Sequence, residues 1–231
     1  TIFDIDLRSM PITGGGFWPA TFATWVGHPA FSMSDDRIIF SAALDEGGTD
    51  WEVYSVDWTS PNIVSDLTRH TQGTLYPAGP NPIQMSAGGH YMSMGMDIIY
   101  SSTKTPLGNS QLFIIPASSV NVPVNPVNQV DFHYANDYVP DQLSDGRIFF
   151  TSDQGPNAMC QPPDTAATDD LDMFLINPDG SGRTNVTNND AVDEMALIGD
   201  EVSWFCGIKP NLSECTFYPK IWNICWFREF Y

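Results

Sequence analysis

Short apolar runs, broken by glycine, proline and acidic turn residues, recur along the whole chain. Four of them line up: residues 35–42 (DDRIIFSA), 95–102 (GMDIIYSS), 145–152 (DGRIFFTS) and 199–206 (GDEVSWFC). Each opens on a turn pair, runs through a few bulky apolar residues and ends on small ones. A run this short, bounded by turn-formers and rich in β-branched and aromatic side chains, predicts a strand buried on both faces. A second run follows each time: 50–57 (DWEVYSVD), 109–116 (NSQLFIIP), 170–177 (DLDMFLIN) and 220–227 (KIWNICWF). No window of about 11–18 residues carries a helical stripe. No apolar run approaches the roughly 18 residues that a membrane span needs.

The starts of the four first runs are 60, 50 and 54 residues apart. Recurrence at that spacing is the mark of a repeat architecture. Entry segments precede the first runs at His28-Pro29-Ala30-Phe31, Tyr76-Pro77-Ala78, Tyr138-Val139-Pro140 and Asp193-Glu194-Met195. Closing segments follow the second runs at Asp66-Leu67-Thr68 and Asn185-Val186-Thr187. Entry, inner, middle and outer strand make a four-stranded antiparallel blade. A blade buries both faces only by stacking on its neighbours around an axis. The fold class expected is therefore all-β, a β-propeller of four to five visible blades, complete as a small ring or a portion of a longer one. Residues 1–231 form one domain in this reading, with blades near 28–70, 76–125, 138–188 and 193–231. Residues 1–14 supply an outer strand of a preceding or closing blade.

The stretch LSDGRIFFTSDQG, followed by DLDMFLINPDGSGRTNVTNN, resembles the TolB-like propeller repeat, which reads SPDGxxIxFxSDRxG and then DIYxMxxDGSGxxxLT. Ser144, Asp145, Gly146, Arg147, Phe150, Ser152 and Asp153 match its first part, and Asp179, Gly180, Ser181, Gly182 and Thr187 its second. The copy at FSMSDDRIIFSA departs from it, with Met33 in place of proline and Asp36 in place of the turn glycine. The resemblance spans roughly residues 28–206. It implies fold far more than role, because the repeat occurs in proteins of many functions. The matching Asp-Gly pairs also have a structural cause: glycine supplies positive φ in tight turns, and short polar side chains brace them.

Charge narrows the partners. Twenty-eight acidic residues against nine basic ones give a net charge of −19. A polyanion repels phosphate backbones and anionic lipid, which argues against nucleic acid and a membrane surface. Solubility alone also accounts for the acidity. The four cysteines, Cys160, Cys206, Cys215 and Cys225, form no CxxC pair, so no zinc ribbon is expected. Cys206 and Cys215 flank a short Gly/Pro/Asn loop that a disulfide would close. Four cysteines allow three connectivities, and buried free thiols remain the alternative. Asn185 and Asn211 head glycosylation sequons that matter only in a glycosylating host. The chain begins at Thr1, which suits a processed or truncated product.

Two clusters carry candidate chemistry. Strand alternation would put His90, Met92, Met94 and Met96 on one face, and thioether plus imidazole ligands suit copper. Methionines packed between blades are the preferred reading, since a buried strand needs the same spacing. Asp169, Asp170 and Asp172 offer oxygen ligands for calcium as a cofactor. A solvated acidic rim is preferred, because the spacing matches no EF-hand loop. Nothing marks a nucleophile elbow, a P-loop or a dinucleotide fingerprint. The expectation is a periplasmic or extracellular, non-catalytic propeller that binds or scaffolds a protein or glycan partner. The alternatives are the propeller portion of a larger enzyme or complex, and a carbohydrate-active propeller enzyme.

Overall fold

The computed structural model of the chain describes residues 25–32, 36–43, 50–60, 63–76, 84–92, 95–154 and 171–187. The predicted strands at 1–14 and 193–231, all four cysteines, Asn211, Met94, Asp169 and Asp170 lie outside these residues. The described residues are almost entirely strands and turns, with a short 3-10 turn at Pro126–Asn128.

Three antiparallel units follow one another. The first contains β1 (Trp25–Phe31), β2 (Arg37–Ala43), β3 (Asp50–Ser60) and β4 (Ile63–Arg69), paired in chain order. After it comes β5 (Thr71–Thr74). The second unit contains β6 (Gln84–Tyr91), β7 (Asp97–Ser102) and β8 (Gln111–Pro116). Its outer position is held by a lone bridge between Phe113 and Gln129. Between them, β9 (Val122–Val124) runs parallel to β5. The third unit contains β10 (Asp137–Gln142), β11 (Ile148–Ser152), β12 (Asp172–Ile176) and β13 (Thr184–Asn185). A short parallel pairing of Asp50-Trp51 with Gln84-Met85 joins the first two units into one seven-stranded sheet.

Of the predicted entry segment Tyr76-Pro77-Ala78, residues 77 and 78 lie outside the described residues, and the first described strand of the second unit is β6.

Alternation along β7 shows how the units stack. Ile98 and Tyr100 point into one core with Ile39, Val53, Phe113, Ile115 and Val124, between the first and second units. Ile99 points the other way, into a core with Leu112, Val130, Ile148, Phe150, Phe174 and Ile176, between the second and third. The consecutive apolar residues Ile98, Ile99 and Tyr100 thus feed two cores, which is why these runs show no polar alternation. Burying each such side chain contributes roughly 1.5–3 kcal/mol.

The first strand of every unit carries a bulge at the same place. Register shifts lie between Gly27 and Ala30, Ala87 and His90, and Tyr138 and Asp141. The bulged residues have positive φ: His28 (50°), Gly88 (61°) and Val139 (44°). Glycine takes that conformation freely, whereas histidine and above all β-branched valine are strained in it.

Candidate functional site

Three polar assemblies sit at or between the units. The first is a clasp repeated at each middle strand. In the first unit the Val53 N–H donates to Thr71 Oγ1 (2.9 Å), and that hydroxyl donates to Glu52 Oε2 (2.6 Å). Arg69 and the Gly73 N–H donate to Glu52 Oε1. In the third unit the Met173 N–H donates to Thr187 Oγ1 (3.0 Å), Thr187 donates to Asp172 Oδ1 (2.8 Å), and Asn185 Nδ2 donates to Asp172 Oδ2 (2.7 Å). Asp172, considered above for calcium, is buried and spends both carboxylate oxygens on this clasp. A glycan on Asn185 would occupy the nitrogen that reaches Asp172.

In the second unit Gln111 takes the acid's place and Asp131 the threonine's. Gln111 Oε1 accepts from Gln129 and from the His133 N–H at 3.3 Å. Asp131 has no hydroxyl to donate, and its carboxylate turns instead toward Arg183.

That exchange creates the second assembly, Asp131, His133, Asp137 and Arg183. Arg183 reaches across from the β12–β13 turn and lies over the faces of both the Phe150 and Phe174 rings, 4.8 and 4.9 Å from their centroids. Its Nε donates to Gln154; its Nη1 donates to Asp131 (3.1 Å) and Asp137 (3.0 Å); its Nη2 donates to Asp137 (2.9 Å) and Ser152 (3.0 Å). All five guanidinium protons are thereby used. His133 Nε2 lies 2.7 Å from Asp137 Oδ2, and its Nδ1 accepts from the Ala135 N–H, so Nε2 carries the proton. Burial opposes ionisation of Asp137, but the charge of Arg183 and the hydrogen bonds from His133 and Arg183 outweigh it and hold its carboxyl below the usual range. Asp131 is pushed up, first by burial and then by the Asp137 charge. The Asp131, His133 and Asp137 ligand atoms lie within 4.8 Å of one another, close enough to share an ion. The guanidinium already fills that role, and the His133 lone pair that faces its neighbours is protonated. The group is best described as a charge clasp between the second and third units.

The third assembly has the outline of a catalytic dyad. Ser55 Oγ lies 2.8 Å from His70 Nε2, and His70 Nδ1 lies 2.8 Å from the Ser119 carbonyl oxygen. The carbonyl only accepts, so Nδ1 bears the proton and Ser55 donates to Nε2. That is the hydrogen-bond order of a His-activated serine. Ser55 is wholly buried, however, and Arg37 Nη2 donates to its oxygen at 2.8 Å. Arg37 continues to Tyr91 in the second unit and to Asp57. Burial holds His70 below its ordinary pKa, keeping it neutral. The dyad works as a link between units. Lys104 forms another, donating from the second unit to Asp50 (2.7 Å) and Glu52 (2.6 Å) of the first.

Of the proposed copper set, His90 is the last but one residue of β6 and lies 3.5 Å from Asp141 Oδ1 through its Nδ1. The strand ends at Tyr91, and the Gly95 N–H donates to the Met92 carbonyl in a tight turn at φ 66°. Met92 packs in the core against Ile99 and Phe150, while Met96 is exposed. Asp141, Arg183 and Asp131 did not stand out in the sequence. The spacing Asp131-Phe132-His133 and then Asp137 was the one visible sign of them.

No protein-family model matches the sequence, and no curated relative matches it. Among solved structures, the chain is similar to Kuenenia stuttgartiensis hydrazine synthase, with a TM-score of 0.51 at 10% identity. That likeness covers 80% of this chain and 28% of that one, so the chain spans just over a quarter of its neighbour. Puromycin hydrolase follows with a TM-score of 0.49 at 12% identity, covering 71% of this chain and 22% of that one. A putative TolB from Agrobacterium tumefaciens has a TM-score of 0.36 at 15% identity, covering 71% and 65%. At these identities the likeness concerns the fold alone. Among the described residues no helix is long and apolar enough to cross a membrane.

Proposed function

We propose that the chain is a TolB-like propeller module, a single domain over residues 1–231, acting as a periplasmic or extracellular binding scaffold. Its partner in this reading is a protein with a basic surface. The observation that carries it is an exposed aromatic pair on the connection between β9 and β10. Phe132 and Tyr134 meet edge to face at 6.3 Å, with 58% and 36% of their surfaces exposed. Exposed aromatics are uncommon outside contact surfaces, and they supply large, stiff, apolar area to an interface. The segment beneath them is held still by the Asp131–Arg183–Asp137 clasp. The net charge of −19 favours a basic partner and speeds its approach.

The test is a panel of displayed basic peptides and of glycans, read against wild type and a Phe132→Ser, Tyr134→Ser double variant. Selected basic peptides should bind the double variant roughly tenfold or more weakly, as expected for lost aromatic anchors. The circular dichroism should be unchanged. Equal binding by the two proteins, or selection of glycans alone, refutes the basic-protein reading.

A second reading is favoured by the 28% coverage of the hydrazine synthase chain: the propeller is one portion of a larger enzyme or complex. Native mass measurement separates the two, because a stable monomer disfavours a portion that needs the rest.

A further inference from the structure

The connection that carries Phe132 and Tyr134 turns its side chains alternately out and in. The two rings face solvent, while Asp131 and His133 turn inward to Asp137 and Arg183. Asn109 Nδ2 donates to the His133 and Ala135 carbonyls at 2.9 Å, and Gln111 Nε2 to the Ala135 carbonyl at 2.7 Å. The rings and the inward charges are therefore held at a fixed separation. The inward group sets two carboxylates against one guanidinium. His133 adds no charge, because its Nδ1 accepts the Ala135 N–H and its Nε2 carries the single ring proton. One negative charge is left in excess at a mostly buried place, which is costly.

A proton would cancel that charge, and one oxygen of the group is open to it. Asp137 Oδ1 accepts from Arg183 Nη2, and Asp137 Oδ2 from Arg183 Nη1 and His133 Nε2. Asp131 Oδ2 accepts from Arg183 Nη1. Asp131 Oδ1 is buried, has no donor on it and lies 3.6 Å from His133 Nε2, beyond hydrogen-bond reach. Burial first, and the Asp137 charge second, push the Asp131 carboxyl above its ordinary 3.8, against the pull of Arg183. The other acids on the packed elements are engaged elsewhere. Asp179, on the turn whose Gly180 packs against Asp131, accepts from Ser181, and Asp153 accepts from Asn136. From β8 the side chain that reaches the connection is Gln111, which is uncharged.

We propose that docking on the Phe132–Tyr134 face is proton-linked through Asp131: a basic partner competes with a proton on Asp131 Oδ1, the proton leaves to solvent as the partner binds, and acid loosens the complex. This rests on the reading of that face as the interface for a basic protein. A positive charge brought over the rings favours the ionised carboxylate one residue away. Docking and protonation of Asp131 then oppose each other by the same factor. The docked value lies below the free one. Affinity is therefore complete above the free value and falls as pH drops through it toward the docked value.

The test uses the basic peptide of the displayed panel that binds wild type most tightly. Carbon-13 NMR of the intact chain follows the Asp131 side-chain carboxyl through an acid titration, without and with that peptide. The carboxyl should titrate above 3.8 in the free chain and lower with peptide bound. Between about pH 7 and about pH 4.5, wild-type affinity should fall further than that of Asp131→Asn by roughly three- to tenfold, the scale of one unit charge felt near a protein surface across about 10 Å. Asparagine stands in for the protonated acid, so that variant should bind weakly throughout. Circular dichroism checks its fold, and the wild-type NMR titration decides alone if the variant does not fold. Asp131 titrating at or below 3.8 overturns the proposal, as does a titration that peptide does not move, or parallel affinity curves for wild type and Asp131→Asn. If no panel peptide binds, or the peptide binds a Phe132→Ser, Tyr134→Ser variant as well as wild type, the interface reading itself has failed, and the proposal with it.

Discussion

Arg183 draws together more of the molecule than any neighbouring side chain described here. It lies over two neighbouring rings and donates to four residues from two units. Removing it leaves Asp131 and Asp137 as adjacent buried carboxylates. Arg183→Met should therefore destabilise the fold by about 3–5 kcal/mol, the usual cost of stranding a buried charge. Arg183→Lys should recover only part of this, because an ammonium cannot present a planar fork. Urea unfolding measures both. A loss below about 1 kcal/mol in Arg183→Met would mean that the two acids are protonated or hydrated in the native state. None of this was legible in the sequence. Arg183 lies 46 residues from Asp137 and 52 from Asp131, and periodicity speaks only of the strand that carries it. The motif did identify the turn before it, where Asp179 accepts from Ser181 as short turn residues should.

At the scale of the element, the middle strands and their clasps carry the repeat. Thr71 and Thr187 each accept a main-chain N–H and donate to a buried acid. Thr187→Val keeps the shape but leaves the Met173 N–H and Asp172 without that hydroxyl. It should cost about 1–3 kcal/mol by urea unfolding. Thr71→Val should cost a similar amount, and indifference to both changes would show that the clasp does not hold the outer strands. The inner and middle strands were legible because each is a short apolar run between turns. Residues 145–152 were expected and Ile148–Ser152 is the strand; residues 170–177 were expected and Asp172–Ile176 is the strand. The outer strand of the second unit was not legible, since it is reduced to the Gln129 bridge. Nor was the end of β6 at Tyr91. Of the methionines grouped with His90, Met92 is buried and Met96 exposed, and Met94 lies outside the described residues.

The response to acid belongs to the whole molecule. His28 and His70 are both held below 6.5 by burial, so the unfolded chain binds protons that the folded one refuses. Their contribution is complete above the unfolded value and is lost as pH falls through 6.5 toward the folded values. The depressed Asp137 adds a loss at lower pH, below the ordinary 3.8. Thermal melts between pH 7.5 and about 5 should show His70→Gln losing less stability on acidification than wild type. Parallel curves would mean that His70 titrates alike in both states. Architecture at this scale was legible as stacked, repeated all-β units. The parallel pairing of Asp50-Trp51 with Gln84-Met85 was not, because contacts between units leave no period in the chain.

The clasps and the links between units divide the labour in a way that bears on how such a chain changes over time. Each clasp closes within its own unit or onto the next, and the links from Lys104, Arg37 and Arg183 reach no farther than an adjacent unit. Stability then accumulates from neighbour to neighbour, as in repeat proteins. A gene for such a chain can duplicate a unit and remain foldable once the new junction supplies one acid and one base. The His133 and Asp131 junction, where the threonine of the repeat has become an acid, bears the mark of a copy already diverged.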